Sequence, residues 1–162
     1  MTGKEAGEVR LNELYQEVIL DHNRRPRNFG KMEDATSSAH GVNPLCGDDY
    51  WVYVKRDAQG ALTAVSFEGQ GCAISKSSAS MMTAALEGKS AGQARELTDA
   101  FLHLLTREGV SEEEREKAGR LKLFEGVRQF PIRVKCATLA WRALEEALKA
   151  SGEKGGKVTT EE

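Results

Sequence analysis

The first regular pattern of apolar residues lies near the amino terminus. Apolar side chains recur there at the spacing of one helix face: Val9, Leu11, Leu14, Tyr15, Val18 and Ile19. This pattern predicts an amphipathic helix. Pro26 and Gly30 follow it, so we expect "RPRNFG" to form a loop.

Two β-branched and aromatic runs come next, "DDYWVYVKRD" and "ALTAVSFEGQG", separated by a short turn that contains glycine, "AQG". In the second run Thr63, Val65 and Phe67 point to one side, because side chains alternate along a strand. The two runs therefore predict an antiparallel hairpin with one buried face.

After residue 72 the apolar spacing becomes helical. Residues 74–86 form a helix rich in small side chains that ends at Gly88, and a second helix starts from Ser90 as its N-cap. Residues 134–148 carry the stripe of a last helix, whereas "SEEEREKAGRLKLFEGV" is charged and is expected to be exposed and partly helical.

The order of these elements predicts an α+β fold, a small antiparallel sheet of about three strands with helices packed on one face. We expect residues 1–150 to form one domain, because a chain of 162 residues can bury a sufficient core. Residues 151–162, "SGEKGGKVTTEE", are polar and glycine-rich and are predicted to be a disordered tail.

Composition excludes several classes of partner. With 30% charged residues and a net charge of -2, the chain has no basic field for nucleic acid and no polybasic run for a membrane surface. An apolar run of about 18 residues and a signal-peptide pattern are both missing, so a cytoplasmic location is expected. Thiols are kept reduced there.

The three cysteines, Cys46, Cys72 and Cys136, are an odd number for a disulfide framework and favour metal binding or reactivity. Taken singly, each fits a small buried hydrophobic residue equally well. All three lie at predicted element ends, however, and a helix N-terminus near Cys72 and Cys136 favours a thiolate. Thiolates ligate metals and attack sulfur.

In extended structure, Cys46 and Asp48 point to the same side, and Gly47 between them lets the loop fold around an ion. With the other two thiols they make an S3O ligand set that suits tetrahedral zinc, although iron–sulfur clusters also use thiolates. Asp48 in such a loop could instead form an Asx-turn. Alternation directs Asp49 away from Cys46.

The histidines are weaker candidates. His40 is close in sequence to Cys46 and is a candidate partner of a ligand rather than a ligand itself. His22, near a helix end, is expected at the surface or against the helix dipole. His103 lies in a helical pattern and is expected to be exposed or half-buried.

Four motifs, in this order, resemble the U-type iron–sulfur assembly proteins, the IscU/SufU/NifU-N family: "LYQEVILDHNRRPRNFG", "NPLCGDD", "FEGQGCAISKSSASMMT" and "RVKCATLAWRALEEAL". The resemblance covers about residues 10 to 150. It implies a compact α+β domain in which Cys46, Asp48, Cys72 and Cys136 converge on one site. It also implies a pyridoxal-phosphate-dependent cysteine desulfurase as partner and downstream cluster assembly proteins as acceptors.

Two features separate the branches of that family. The scaffold branch has a histidine just before its third cysteine, where this chain has Lys135. The stretch between the second and third cysteines is also longer here, around "TREGVSEEEREKAGRLKL". Both features resemble the SufU branch, whose members bind zinc and accept sulfur from a SufS-type desulfurase.

The sequence therefore predicts a zinc-binding protein that accepts persulfide sulfur on Cys46, which lies on a glycine-flanked loop. If it is an enzyme, it is at most a zinc-dependent sulfurtransferase acting with the desulfurase. Arg133 and Lys135 are candidates to support the persulfide charge, or are simply solvated. The alternatives are a scaffold that builds and transfers a [2Fe-2S] cluster, holding iron or the cluster, and a structural zinc module.

Overall fold

The computed structural model describes residues 3–149 and 154–159. Its elements, in chain order, are α1 (Gly3–Arg24), β1 (Ser37–Asn43), β2 (Asp48–Arg56), β3 (Leu62–Gln70), α2 (Ala73–Leu86), α3 (Ala91–Thr106), α4 (Glu112–Lys117), a 3₁₀ helix (Gly119–Gln129), α5 (Pro131–Lys149) and β4 (Lys154–Thr159). None of the helices in these two ranges is long and apolar enough to cross a membrane.

The strands form one sheet in the order β3-β2-β1-β4. The predicted hairpin of β2 and β3 is present and antiparallel, and β1 pairs antiparallel with the other side of β2. Strand β1 was not predicted as a strand, because "SSAHGVN" holds a single β-branched residue. The α+β prediction, with helices on one face of a small sheet, is confirmed.

The carboxyl-terminal segment differs from the expected disordered tail. Residues 154–159 form β4, which pairs in parallel with β1 and makes the sheet four-stranded. The remaining residues of the 151–162 segment lie outside the described part of the chain. The pairing with β1 satisfies backbone N–H and C=O groups of this segment. The sequence did not predict the strand, because the segment has few apolar residues.

Helix α5 packs across β1 and β2, and α2 packs against α5 and β3. The predicted stripe of α5 is buried, with Trp141 fully enclosed and stacked on Phe101 of α3 at a ring-centroid distance of 4.4 Å. Gly41 of β1 faces this helix. A Cβ atom at Gly41 would lie 3.2 Å from the Leu139 side chain, so the missing side chain permits the close approach of α5 to the sheet.

Two expectations about burial are wrong. The segment that follows α4 is not exposed: Leu121, Phe124 and Val127 of the 3₁₀ helix are buried, and Phe124 packs edge-on against Tyr15 and Phe101. In the opposite sense, Leu14 belongs to the predicted stripe of α1 but is exposed. The stripe of α1 packs through Val18 and Ile19 instead.

Candidate metal centre

Asp48 opens strand β2 directly opposite Asn43, the last residue of β1. Its side chain is 1% exposed and lies on the sheet face that α5 covers, together with Asn43. The next residue, Asp49, points to the other face and is exposed, as alternation along a strand predicts. The sheet therefore directs one carboxylate of the pair inward.

Three donors hold the Asp48 carboxylate. Oδ1 accepts hydrogen bonds from the Cys72 backbone N–H at 2.8 Å and from Ser75 Oγ at 3.0 Å. Oδ2 accepts one from Asn43 Nδ2 at 3.1 Å. A buried carboxylate with this many donors has a fixed orientation, and Oδ2, which accepts one hydrogen bond, keeps a lone pair for a further positive group.

Cys72 is the N-cap of α2, where its sulfur accepts from the Ser75 N–H at 3.4 Å. A hydrogen bond with Cys136 is the largest cause that lowers the pKa of Cys72 below its ordinary value, and the bonds from Ser75 add to it, whereas burial opposes it. Unpaired N–H groups at a helix start favour a thiolate in the same way. Of the two thiols Cys72 and Cys136, Cys72 is thus the one that loses its proton more readily.

Gly71 leaves room for this arrangement. A Cβ atom at Gly71 would lie 2.5 Å from Asp48 Oδ1, 2.6 Å from Ser75 Oγ and 2.7 Å from the Tyr50 hydroxyl. All three distances are too short for a carbon atom, so a side chain at this position would displace the carboxylate or its donors. Gly71 therefore serves the packing of the site and not only the turn into α2.

Cys136 lies in the second turn of α5 and is buried. Its Sγ is 3.1 Å from Cys46 Sγ and 3.4 Å from Asn43 Nδ2. The pKa of Cys136 is raised, because its proton is shared with Cys72 and because burial disfavours the thiolate. In the pair, Cys136 therefore holds the proton and Cys72 the negative charge.

Cys46 lies on the four-residue loop between β1 and β2. The backbone N–H of Cys46 donates to the Asn43 carbonyl at 3.3 Å, and that of Gly47 donates to the Pro44 carbonyl at 3.4 Å. Gly47 adopts φ 69°, a left-handed conformation that favours glycine. Residues 44–47 thus form a turn rather than the expected extended segment, and this turn brings the half-buried Cys46 back toward Asp48.

The donor atoms of Cys46, Asp48 and Cys136 all lie within 4.8 Å of one another. Cys72, the fourth predicted ligand, is not one of this group: its backbone N–H donates to Asp48, and its thiol interacts with that of Cys136, which lowers the pKa of Cys72. Three sulfur atoms and one carboxylate oxygen are a donor set that zinc accepts in tetrahedral geometry. The residues that the sequence singled out therefore fit a zinc ion chemically.

His40 lies away from this cluster, on the sheet face opposite Asn43 and Asp48. Its Nε2 lies 2.6 Å from Asp49 Oδ1, and its ring stacks on Trp51 at a centroid distance of 4.7 Å. The proposed role of His40 as partner of a ligand has no support in these contacts. Its nearest ionisable neighbour is the outward-pointing Asp49.

The other two histidines differ in burial. His103 is half-buried, as expected, and pairs with Glu114. His22 is buried rather than exposed, with 7% of its surface accessible, and its Nδ1 lies 2.6 Å from Ser80 Oγ. The polar helix end around His22 gave no indication of this burial.

Arg133 and Lys135 lie in the first two turns of α5. The Arg133 guanidinium lies over the Phe130 ring, 4.5 Å from its centroid, and its charge acts on Tyr15. Lys135 is half-buried and has an interaction of its own. Support of a persulfide charge by these two residues stays a prediction.

Two residues that position the site were not singled out in the sequence. Asn43 bridges Asp48 and Cys136, and Ser75 bridges Asp48 and Cys72 while also contacting the Tyr50 hydroxyl at 3.1 Å. A signal for Ser75 exists, since it stands three residues after an N-cap, where a capping partner is usual. For Asn43 the signal is its position at the start of "NPLCGD", the stretch that also carries Cys46 and Asp48.

The fold and the site together define an α+β domain whose strand ends and helix starts gather three thiols around one buried carboxylate. A family model described as NifU-like N terminal domain matches residues 14–137. The chain belongs to this family, which confirms the resemblance to the U-type proteins.

Two individual relatives are similar to this chain over most of its length. The chain is 41% identical over 142 residues to the iron-sulfur cluster assembly scaffold protein IscU of Streptococcus pyogenes serotype M1, covering 88% of this chain and 87% of the relative. It is 38% identical over 146 residues to the zinc-dependent sulfurtransferase SufU of Bacillus subtilis strain 168, covering 90% and 95%.

Among solved structures, one from Fervidobacterium islandicum AW-1, assigned to iron–sulfur cluster assembly for the SUF system, superposes with a TM-score of 0.74. It is 33% identical, and the match covers 82% of this chain and 94% of that one.

Proposed function

We propose that this protein accepts persulfide sulfur from a pyridoxal-phosphate-dependent cysteine desulfurase of the SufS type and passes it on for iron–sulfur cluster assembly, with zinc as its resident metal. The observation that carries the proposal is the unequal support of the thiols. Cys72 caps α2 and Cys136 lies within α5, whereas Cys46 lies on a four-residue turn beside them.

Cys46, Asp48, Cys72 and Cys136 would hold the zinc ion. Bound there, zinc would supply positive charge that keeps the thiols deprotonated. Asn43 and Ser75 fix the Asp48 carboxylate and so keep the ligand set in register when the loop moves. The choice of zinc draws on the S3O set, on the relative named a zinc-dependent sulfurtransferase and on Lys135 before the third cysteine.

The transfer itself needs only thiol chemistry. The Cys46 thiolate attacks the outer sulfur of the desulfurase persulfide, forming a new S–S bond while the S–S bond of the desulfurase breaks. The desulfurase leaves as a thiolate, and Cys46 carries the persulfide with its proton. The atoms balance without any added oxidant or reductant. In this role the protein acts as a sulfurtransferase together with its partner.

A matched set of variants tests this proposal. Full-length protein, assayed for metal, should carry about one zinc per chain and should accelerate turnover of a SufS-type desulfurase. After one turnover, mass spectrometry should find one added sulfur atom on the peptide that contains Cys46. Cys46→Ala should lose both effects, and Asp49→Asn, next to the site but outward-facing, should keep both. Equal stimulation by Cys46→Ala and the unaltered protein would refute the proposal.

A second function has specific support, since the S. pyogenes relative is named a scaffold. In that case the same four residues would hold a [2Fe-2S] cluster as cargo. Anaerobic addition of iron and sulfide should then produce a brown protein with charge-transfer absorbance that a downstream assembly protein can remove. A colourless protein that retains its zinc under these conditions would exclude the scaffold function.

A further inference from the structure

A groove of about 390 Å³ lies apart from the cysteine site, between the carboxyl-terminal parts of α1 and α2, helix α3 and the start of the 3₁₀ helix. Its floor is apolar and is formed by Met81, Leu97 and Leu121. Ligand pockets in proteins have volumes of about 300 to 1,000 Å³ and combine such a floor with a few polar groups. The groove has the size and the floor of a small-molecule site.

The rim of the groove is cationic. Lys89, Lys117 and Arg120 all line it. Lys117 is paired with Glu96 at 3.2 Å, so its charge is already balanced. Within residues 3–149 and 154–159, Lys89 and Arg120 form no ion pair. The groove therefore presents two uncompensated positive charges above an apolar surface.

His22 adds a buried polar group to the same groove. It lines the groove with 93% of its surface buried, and its Nδ1 is engaged with Ser80 Oγ. Ser80 Oγ already accepts the Arg27 backbone N–H at 2.8 Å, and its own proton has no other acceptor in the described part of the chain. The hydroxyl therefore donates to Nδ1, which leaves the imidazole proton on Nε2.

Burial is the main cause that lowers the pKa of His22, and the positive charges of Arg27 and Arg120 act in the same direction. The ring is thus neutral at pH 7, and its Nε2–H, which is not among the buried polar atoms without a partner, is open to the groove that His22 lines. A donor that is open to the groove can bond to water or to a ligand that enters the groove. A negatively charged oxygen would satisfy it while balancing the two cations.

We propose that this groove binds a small organic oxyanion, a carboxylate or a phosphate monoester with a short apolar body. The oxyanion contacts Arg120, Lys89 and the Nε2–H of His22, and the apolar body lies on the floor. Because Cys72 is the N-cap of α2 and Met81 lies within that helix, the groove and the cysteine site share one helix. This inference is independent of the sulfur-transfer proposal.

Binding is tested by NMR titration of the full-length chain with hexanoate and hexyl phosphate, with hexanol and inorganic phosphate as controls. We expect at least one of the two organic anions to give saturable shifts of the His22 imidazole and of amides in residues 81–89 and 117–121. Its affinity should be at least tenfold higher than that of hexanol or inorganic phosphate. Absence of saturation with both organic anions overturns the proposal, and so does a control that binds as tightly.

Two variants localise the ligand. Arg120→Gln removes an exposed cation of the rim and should weaken binding at least fivefold, whereas Arg95→Gln, the same change on the exposed face of α3 outside the groove, should leave binding unchanged. Ala84→Leu places a larger side chain in the groove and should also weaken binding. Affinity unchanged by both Arg120→Gln and Ala84→Leu overturns the site.

Discussion

The two sides of the cysteine site are built differently. On one side, Asp48, Cys72 and Cys136 are fixed by a strand end and two helices, and Asn43 and Ser75 tie them together with hydrogen bonds. We call this side the framework. On the other side, Cys46 depends on a turn with two long backbone hydrogen bonds, next to Leu45, which is 68% exposed.

This difference matters because a fixed metal ligand and a mobile sulfur carrier place opposite demands on a thiol. A ligand set that survives the departure of one member needs groups whose positions do not depend on that member. A sulfur carrier needs a thiol that can reach out to a partner and return. Under the sulfur-transfer proposal, the framework would meet the first requirement and the Cys46 turn the second, so variants on each side should have effects of different kind and size.

The largest effect is expected from Asp48→Ala. It leaves the Cys72 N–H, the Ser75 hydroxyl and the Asn43 amide without their buried acceptor, which should lower the free energy of unfolding of the metal-free protein by about 3 kcal/mol. Urea denaturation measures this. Asp49→Ala, one residue away and exposed, should cost less than about 1 kcal/mol. Equal losses in the two variants would disprove the framework.

Gly71→Ala should come next, with a loss of about 2 kcal/mol, because the added methyl group overlaps Asp48 and its donors. Chemical denaturation gives the free energy of unfolding, and amide hydrogen exchange at residues 72–76 should rise. If Gly71→Ala unfolds like the unaltered protein, the close packing around residue 71 is wrong.

Gly47→Ala is the matched change on the loop side. Nothing lies within 4 Å of the added Cβ, so the cost comes only from φ 69° and should be about 1 kcal/mol. The quantity to compare is the loss of desulfurase stimulation divided by the loss of stability in kcal/mol. Under the sulfur-transfer proposal, this ratio should be larger for Gly47→Ala than for Gly71→Ala. Stimulation that falls in proportion to stability in both variants would remove the distinction between the sides.

The smallest effect concerns pH. Burial lowers the pKa of His22 in the folded state, so the unfolded chain binds a proton first as pH falls. Stability contributed by neutral His22 is therefore complete above its ordinary pKa of 6.5 and is lost as pH decreases below it. Between pH 7.5 and about 5.5, the free energy of unfolding should fall more steeply in the unaltered protein than in His22→Gln, as measured by urea denaturation at each pH. Parallel declines would contradict this.

Sequence reasoning reached the elements whose burial follows a simple period. The stripe of α5, the hairpin of β2 and β3 and the N-cap at Ser90 are all present, because each is encoded within a few residues. Strand β1 was missed, since three of its five buried positions, Ser37, Ala39 and Gly41, are small residues that are covered only once α5 has packed on them.

The same distinction applies to the site. Cys46, Asp48 and Cys72 stood out because a thiol two residues from an acid and a thiol before a helix are local patterns. Asn43 and Ser75 did not, because their roles depend on partners 93 and 27 residues away in the chain. His22 was expected near the surface for the same reason, since Ser80 and the 3₁₀ helix cover it from distant parts of the sequence.

The close approach of α5 to β1 at Gly41 also affects the spacing of the side chains in the cysteine site. Leu139, which touches the space above Gly41, stands one helical turn after Cys136 on α5. The height of this helix above β1 therefore sets how far the Cys136 sulfur stands from Asn43 and Asp48. A methyl group added to residue 41 would push α5 away from β1 and so lengthen the distance between the Cys136 sulfur and Asn43, which would widen the proposed metal site while keeping every proposed ligand.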